Sequence, residues 1–167
     1  MTAVIGIAGW KNSGKTTLVE RLVAELTARG RRVATVKHAH HDFEIDHPGT
    51  DSFRHRTAGA TEVAIVSGRR WALMHELRDE DEPELGNILA RLSPCDLVLV
   101  EGFKRSAHPK IETRRLAARD TRPLGDDIQN LVALAADHVV DGSPVPTFDL
   151  DAIAEIADFI EAQAGLT

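Results

Sequence analysis

The chain has 167 residues, 43% of them hydrophobic and 28% charged, and a formal net charge of −6. A chain of this size buries close to 70% of its unfolded surface, so one domain with its own core is expected, and the composition excludes a fibrous or wholly disordered protein. No apolar run approaches the ~20 residues of a membrane span, the acidic balance argues against general nucleic-acid binding, and the single cysteine, Cys95, has no internal disulfide partner. The first residues also lack the basic stretch of a secretory signal, so a reducing cytoplasm is the expected compartment.

In chain order, the apolar run 3–7 (AVIGI) reads as a buried strand, followed by a glycine loop over 9–14. Apolar residues at 18, 19, 22, 23 and 26 make a helical stripe over 15–29, which Gly30 is placed to end. A second strand is expected at 32–36, then a polar, His-rich stretch, then a short helix capped by Thr50 or Asp51 and closed by Gly59. Residues 62–66 and 71–77, separated by Ser67-Gly68, resemble a β-hairpin, and 83–92 reads as a helix. The most apolar run, 97–100, is typical of a central parallel strand, and 131–136 is another, with a further short strand at Val139-Val140. A last amphipathic helix spans 151–163. Strands alternating with helices indicate an α/β fold: a single P-loop domain over 1–167, its mostly parallel sheet covered by helices on both faces, with a β-hairpin insertion.

Gly9-Trp10-Lys11-Asn12-Ser13-Gly14-Lys15-Thr16 fits the P-loop pattern G-x-x-x-x-G-K-[ST] at every fixed position. Gly9 and Gly14 let the backbone turn successive N–H groups inward around a phosphate. Lys15 balances β/γ-phosphate charge, the helix start adds its positive dipole end, and Thr16 offers a hydroxyl to Mg²⁺. Lys11, Asn12, Ser13 and Thr17 complete the expected nucleotide-binding set. A P-loop also needs an acid at the carboxyl end of a neighbouring strand. The 96–102 segment (DLVLVEG) has one at each end, and with ~3.3 Å per residue only Glu101 reaches the site. Asp51 is a second candidate for the Mg²⁺ shell or for positioning water.

Three further features are less specific. His38, His40, His41 and His47 with Asp42 and Asp46 are of a type to hold a transition metal, but their spacing is neither helical nor finger-like, and contacts to nucleotide, Mg²⁺ or a partner suit it better. Seven basic residues between Lys104 and Arg122 face two acids. They read as a mobile lid, a dock for an anion, or a solvated surface, with Arg119 and Arg122 spaced to share a helix face. The guanine-reading N/T-K-x-D signature is absent, and Asp137, ending the 131–136 strand, is the candidate to read the base.

Taken together, GWKNSGKTTL (9–18), VATVKHAHHDFEIDHPGTDSFRHRTAGA (33–60), DLVLVEGFK (96–104), PKIE (109–112) and the late strand ending at Asp137 resemble the molybdopterin-guanine dinucleotide biosynthesis protein B family over nearly the whole chain. The resemblance implies a GTP- and Mg²⁺-binding protein with slow intrinsic hydrolysis, typically dimeric, acting beside the guanylyltransferase that attaches GMP to molybdopterin. Relatives in the wider class sometimes carry a second lysine directly after the first P-loop glycine. Here that position is Trp10 and the lysine follows at Lys11, so a trans-acting role for Lys11 is not implied. The competing readings are a small-molecule kinase using ATP, with 104–122 as lid, and a metallochaperone GTPase using the 38–47 histidines.

Overall fold

A computed structural model describes residues 2–39 and 43–166. Its contacts divide the chain into two units, residues 1–38 with 89–167, and residues 39–88.

The first unit is built on a six-stranded sheet. Its strands are Ala3–Ala8 (β1), Val33–Lys37 (β2), Leu97–Glu101 (β5), Lys110–Arg114 (β6), Leu131–Ala136 (β7) and Thr147–Asp149 (β8), in the order β2-β5-β1-β6-β7-β8. Every neighbouring pair is parallel. All carboxyl ends therefore fall on one edge, and the P-loop leaves β1 at that edge, between β5 and β6. Register sets which side chains share a face. Ile5 lies opposite Leu99, and Ile7 opposite both Glu101 and Ile111. On this face Ile5, Ile7, Leu97, Leu99, Ile111, Ala133 and Ala135 form the core with two helices, Lys15–Ala28 (α1) and Ile153–Ala164 (α4).

The expected stripe on α1 is present: Leu18, Leu22 and Leu26 are fully buried, with Val19 and Val23 packed at the margin. Burying each leucine stabilises the fold by about 1.5–3 kcal/mol. Helix α1 ends at Arg29, and Gly30 follows at φ +85°. Beyond it, Arg29 and Arg31 both bond to the nearly buried Glu161 of α4, at 2.7 and 2.5 Å. Those hydrogen bonds, Arg29's first, hold the Glu161 carboxyl below its usual range and fasten α1 to α4. On the opposite face, beside Gly6, the cover is a loop rather than a helix: a Cβ on Gly6 would come within 2.6 Å of His108 Nε2.

Two strands depart from the sequence expectation. Residues 110–114, read as part of a basic surface stretch, form the buried strand β6. Lys110, Glu112 and Thr113 have almost no exposed surface. Lys110 Nζ donates to the carbonyls of Ser106, His108 (2.8 Å) and Gln129 (3.1 Å). Glu112 accepts a two-pronged bond from Arg114 and another from the Leu124 amide. Their charges are satisfied internally, so hydropathy misreads the segment. The strand expected at Val139-Val140 does not form; Val139 is 84% exposed, and the edge strand is β8. The 83–92 helix is short, Leu85–Leu89 (α3).

The second unit holds Asp51–Thr57 (α2) and an antiparallel hairpin of Glu62–Val66 (β3) and Trp71–His75 (β4). Thr50 caps α2, its Oγ1 accepting from the Phe53 amide at 3.4 Å. Arg56 is the hub of this unit, bonding Asp46 at 2.8 Å and Glu44 at 2.5 Å.

Candidate functional site

The P-loop takes its form from the positions that lack side chains. Gly9 has φ +157°, and a Cβ there would lie 2.3 Å from Ser13 Oγ and 2.4 Å from Thr113 Oγ1. Asn12 and Gly14 adopt left-handed backbone at φ +64° and +95°, and the Ser13 amide closes the turn on the Trp10 carbonyl at 3.2 Å. Alternating backbone of this kind points successive N–H groups into one concavity, the geometry that accepts phosphate. Helix α1 starts at Lys15, immediately after the loop, and so presents its positive end to the same concavity.

Neighbouring strands hold this loop. Ser13 Oγ lies 2.7 Å from Thr113 Oγ1, which also donates to the Ala8 carbonyl at 3.1 Å. Trp10 Nε1 donates to the Arg122 carbonyl at 2.7 Å. Lys104 Nζ stands 4.5 Å above the Trp10 ring and Arg122 lies 6.0 Å from it, both within cation–π range. Lys15 Nζ donates to the Trp10 carbonyl at 2.7 Å. Burial lowers the Lys15 pKa from its ordinary value, Glu101 raises it, and Lys104 and Lys37 lower it further.

Glu101 lies where the strand length predicts, at the carboxyl end of β5. Its Oε1 accepts from Thr16 Oγ1 at 3.0 Å, and Lys37 Nζ stands 3.6 Å from the same oxygen. A hydroxyl and a carboxylate side by side are hard oxygen donors, the set that Mg²⁺ takes. Gly102, at φ +99°, lets the chain turn where a Cβ would strike His38 Cβ at 2.8 Å. Beyond it the His38 and Phe103 rings stack at 4.7 Å. The other acid of that strand, Asp96, pairs with Arg32 at the far end, 2.9 Å away. It is the structural turn residue its position suggests.

The chain is similar to known proteins along its length. The family model described as molybdopterin guanine dinucleotide synthesis protein B matches residues 4–137. The chain belongs to that family. It is 40% identical to the molybdopterin-guanine dinucleotide biosynthesis adapter protein of Escherichia coli strain K12, covering 96% of this chain and 92% of the relative. Identity to the protein of the same name from Haemophilus influenzae is 39%, over 95% of this chain and 87% of the relative. The crystal structure of a MobB protein homologue from Bacillus stearothermophilus superposes with a TM-score of 0.74 at 28% identity, covering 98% of this chain and 99% of that one.

Within this family fold the remaining candidates divide. Lys11, Asn12 and Thr17 are exposed, around the rim of the loop, and Ser13 is buried beneath it. Asp137 directly follows β7, on the same sheet edge as the P-loop. Its Oδ1 accepts from the Leu116 amide at 3.0 Å and meets His138 Nδ1 at 2.9 Å; the His138 bond is the main reason its carboxyl sits below the usual range. Asp51 opens α2 in the second unit, exposed, with Arg54 4.0 Å away. His40, His41 and Asp42 lie outside the described residues, and among the described residues no three His, Cys, Asp or Glu side chains gather into a metal cluster. Arg119 and Arg122 do not share a helix face, because no helix forms there; Arg122 pairs with Asp120 at 2.7 Å. Sequence reading missed Thr113, whereas Arg115, part of the basic stretch expected as a lid or dock, lies beside the loop, its Cδ 3.1 Å from where a Cβ on Gly14 would stand. Thr113 is hidden inside a strand that reads as basic surface. Lys37 was visible as the last residue before the histidines, and only the register of β2 against β5 shows that it faces Glu101.

Proposed function

We propose that this chain binds GTP with Mg²⁺ at the P-loop and serves as an adapter in molybdopterin guanine dinucleotide biosynthesis, assisting the guanylyltransferase that joins GMP to molybdopterin. The observation that carries the reading is the 3.0 Å contact between Thr16 Oγ1 and Glu101 Oε1, which completes the P-loop with a paired oxygen-donor set. Membership of the family and the printed names of the relatives support the pathway.

On this reading the loop amides of residues 9–14 and the Lys15 ammonium hold the phosphates, and Thr17 lies beside them at the start of α1. Thr16 and Glu101 hold Mg²⁺, which when bound would offset phosphate charge. Asp137 is proposed to read guanine, because a carboxylate accepts from adjacent ring and amino N–H groups that adenine does not offer as a pair. Lys104 beside Trp10 supplies positive charge for an anionic partner molecule such as molybdopterin. The protein is proposed to act as a cytoplasmic homodimer, with slow or partner-dependent hydrolysis.

The test is calorimetric titration with GTP and with ATP, each with Mg²⁺, on the wild type and Lys15→Ala. The expected result is a preference for GTP, with affinity reduced about 100-fold or more in the variant as phosphate charge loses its partner. A preference for ATP would replace the adapter reading with the kinase reading. Unchanged GTP affinity in Lys15→Ala would remove the site itself.

A further inference from the structure

Lys37 is the last residue of β2, and parallel register sets it directly opposite Glu101 on β5. Directly opposed residues in a sheet point to the same face, with their Cβ atoms about 5 Å apart. This is the face that carries α1, because Glu101 is itself opposite Ile7 and bonded to Thr16. Lys37 Nζ approaches the very oxygen of Glu101 that accepts the Thr16 hydroxyl, at 3.6 Å. Glu101 is largely buried at 12% side-chain exposure, whereas Lys37 is 61% exposed, so its ammonium has room to change partner.

Position assigns the phosphate that such a lysine would meet. In a P-loop site the loop amides cradle the α- and β-phosphates, while the Ser/Thr hydroxyl marks the metal that bridges β and γ oxygens. Groups clustered at Thr16 Oγ1 therefore lie on the terminal-phosphate side. Charge points the same way. A nucleoside triphosphate with one Mg²⁺ keeps a net charge of about −2, and the Glu101 carboxylate brings the local total to about −3. Lys15 alone leaves most of that unbalanced. Lys37, 3.6 Å from Glu101, supplies a further positive charge on this side. A diphosphate with the same metal carries about one negative charge fewer.

Resting on the nucleotide-site reading above, we propose that Lys37 is the residue by which this site distinguishes a nucleoside triphosphate from a diphosphate. Its ammonium turns from Glu101 to the terminal phosphate. This makes β2, the strand that leads directly into the 39–88 segment, a reader of the nucleotide state.

The test titrates GDP and a non-hydrolysable GTP analogue, each with Mg²⁺, into the wild type, Lys37→Met and Lys37→Arg, with urea midpoints to establish that each variant is folded. Lys37→Met should lose about 10- to 100-fold in affinity for the triphosphate analogue, the worth of one hydrogen bond between charged groups, and less than about 3-fold for GDP. Lys37→Arg should recover most of the triphosphate affinity. Equal losses for both ligands, or no loss for either, would overturn the assignment while leaving the nucleotide site standing. A wild type that binds neither ligand would remove the site and the role of Lys37 together.

Discussion

Replacing Lys110 with methionine tests how the loops behind the P-loop are held. The wild-type ammonium is fully buried and directs its hydrogens at three carbonyls, those of Ser106, His108 and Gln129. Gln129 in turn donates its amide to the Lys104 carbonyl at 3.0 Å, so Lys110 supports the loop that sets Lys104 over Trp10. Methionine keeps the volume and removes every donor. Each buried carbonyl left without a partner costs about 1–3 kcal/mol. Against this, burial lowers the Lys110 pKa from 10.5 to about 8, and the variant escapes the roughly 3 kcal/mol that this shift represents. The net expectation at pH 7 is a loss of about 3 kcal/mol, or a fall in Tm of about 6–12 °C. The sign of the pH dependence follows from the same shift. Between about 8 and the unfolded value near 10.4 the unfolded chain binds more protons, so this group stabilises the wild type as pH rises through that window. The gap between wild type and Lys110→Met should widen by about 2 kcal/mol at pH 9.5. Urea unfolding followed by far-ultraviolet circular dichroism at both pH values measures it. A gap below 1 kcal/mol at pH 7, or one that narrows at pH 9.5, would refute the reasoning.

Three other substitutions separate sterics and titration from simple loss of a residue. Gly9→Ala places a Cβ within 2.4 Å of both Ser13 Oγ and Thr113 Oγ1, whereas a Cβ on Gly30 meets nothing within 4 Å. Gly9→Ala should abolish measurable GTP binding in calorimetry, while Gly30→Ala should cost only about 1–2 kcal/mol in urea and leave binding intact; equal behaviour of the two would discard the cradle. His108, whose ring nitrogens are buried without partners, is driven down to about 4 by burial and by the Lys110 charge. The unfolded chain therefore binds more protons between pH 4 and about 6.5, and stability should fall across that window as pH drops, a slope that His108→Leu should reduce in urea midpoints at pH 5 and 7.

The elements whose buried residues are apolar could be read from the sequence: β1, α1, β5 and β7 fall within a residue or two of their expected bounds. Glu101 could be read as well, because strand rise alone decides between the two acids of 96–102. What escaped was buried polarity. The KIETR stretch of β6 presents Lys110, Glu112 and Arg114 on one face, and without knowing that carbonyls and each other's charges satisfy them, such a strand looks like solvated surface. Missing β6 hid Thr113, and with it the side of the P-loop that Ser13 leans on. The pairing of Lys37 with Glu101 escaped for a different reason, since parallel register between strands 64 residues apart in sequence leaves no local signal.

With β6 buried, the positive charge near the P-loop has a different source. As seven basic residues in one stretch, 104–122 suggests a lid that closes over anions. In the fold, Lys110 is spent on carbonyls, Arg114 on Glu112 and Arg122 on Asp120. A cation already paired at 2.7–2.9 Å adds little field at a distance. Lys37 from β2 and Lys104 from the turn after β5 both add positive charge beside Lys15. Other parts of the segment serve as framework, since Thr113 buttresses Ser13 and the Arg122 carbonyl holds Trp10. Substitutions at the end of β6 should therefore alter nucleotide affinity by moving the loop, whereas those at Lys37 and Lys104 should alter it by changing the field.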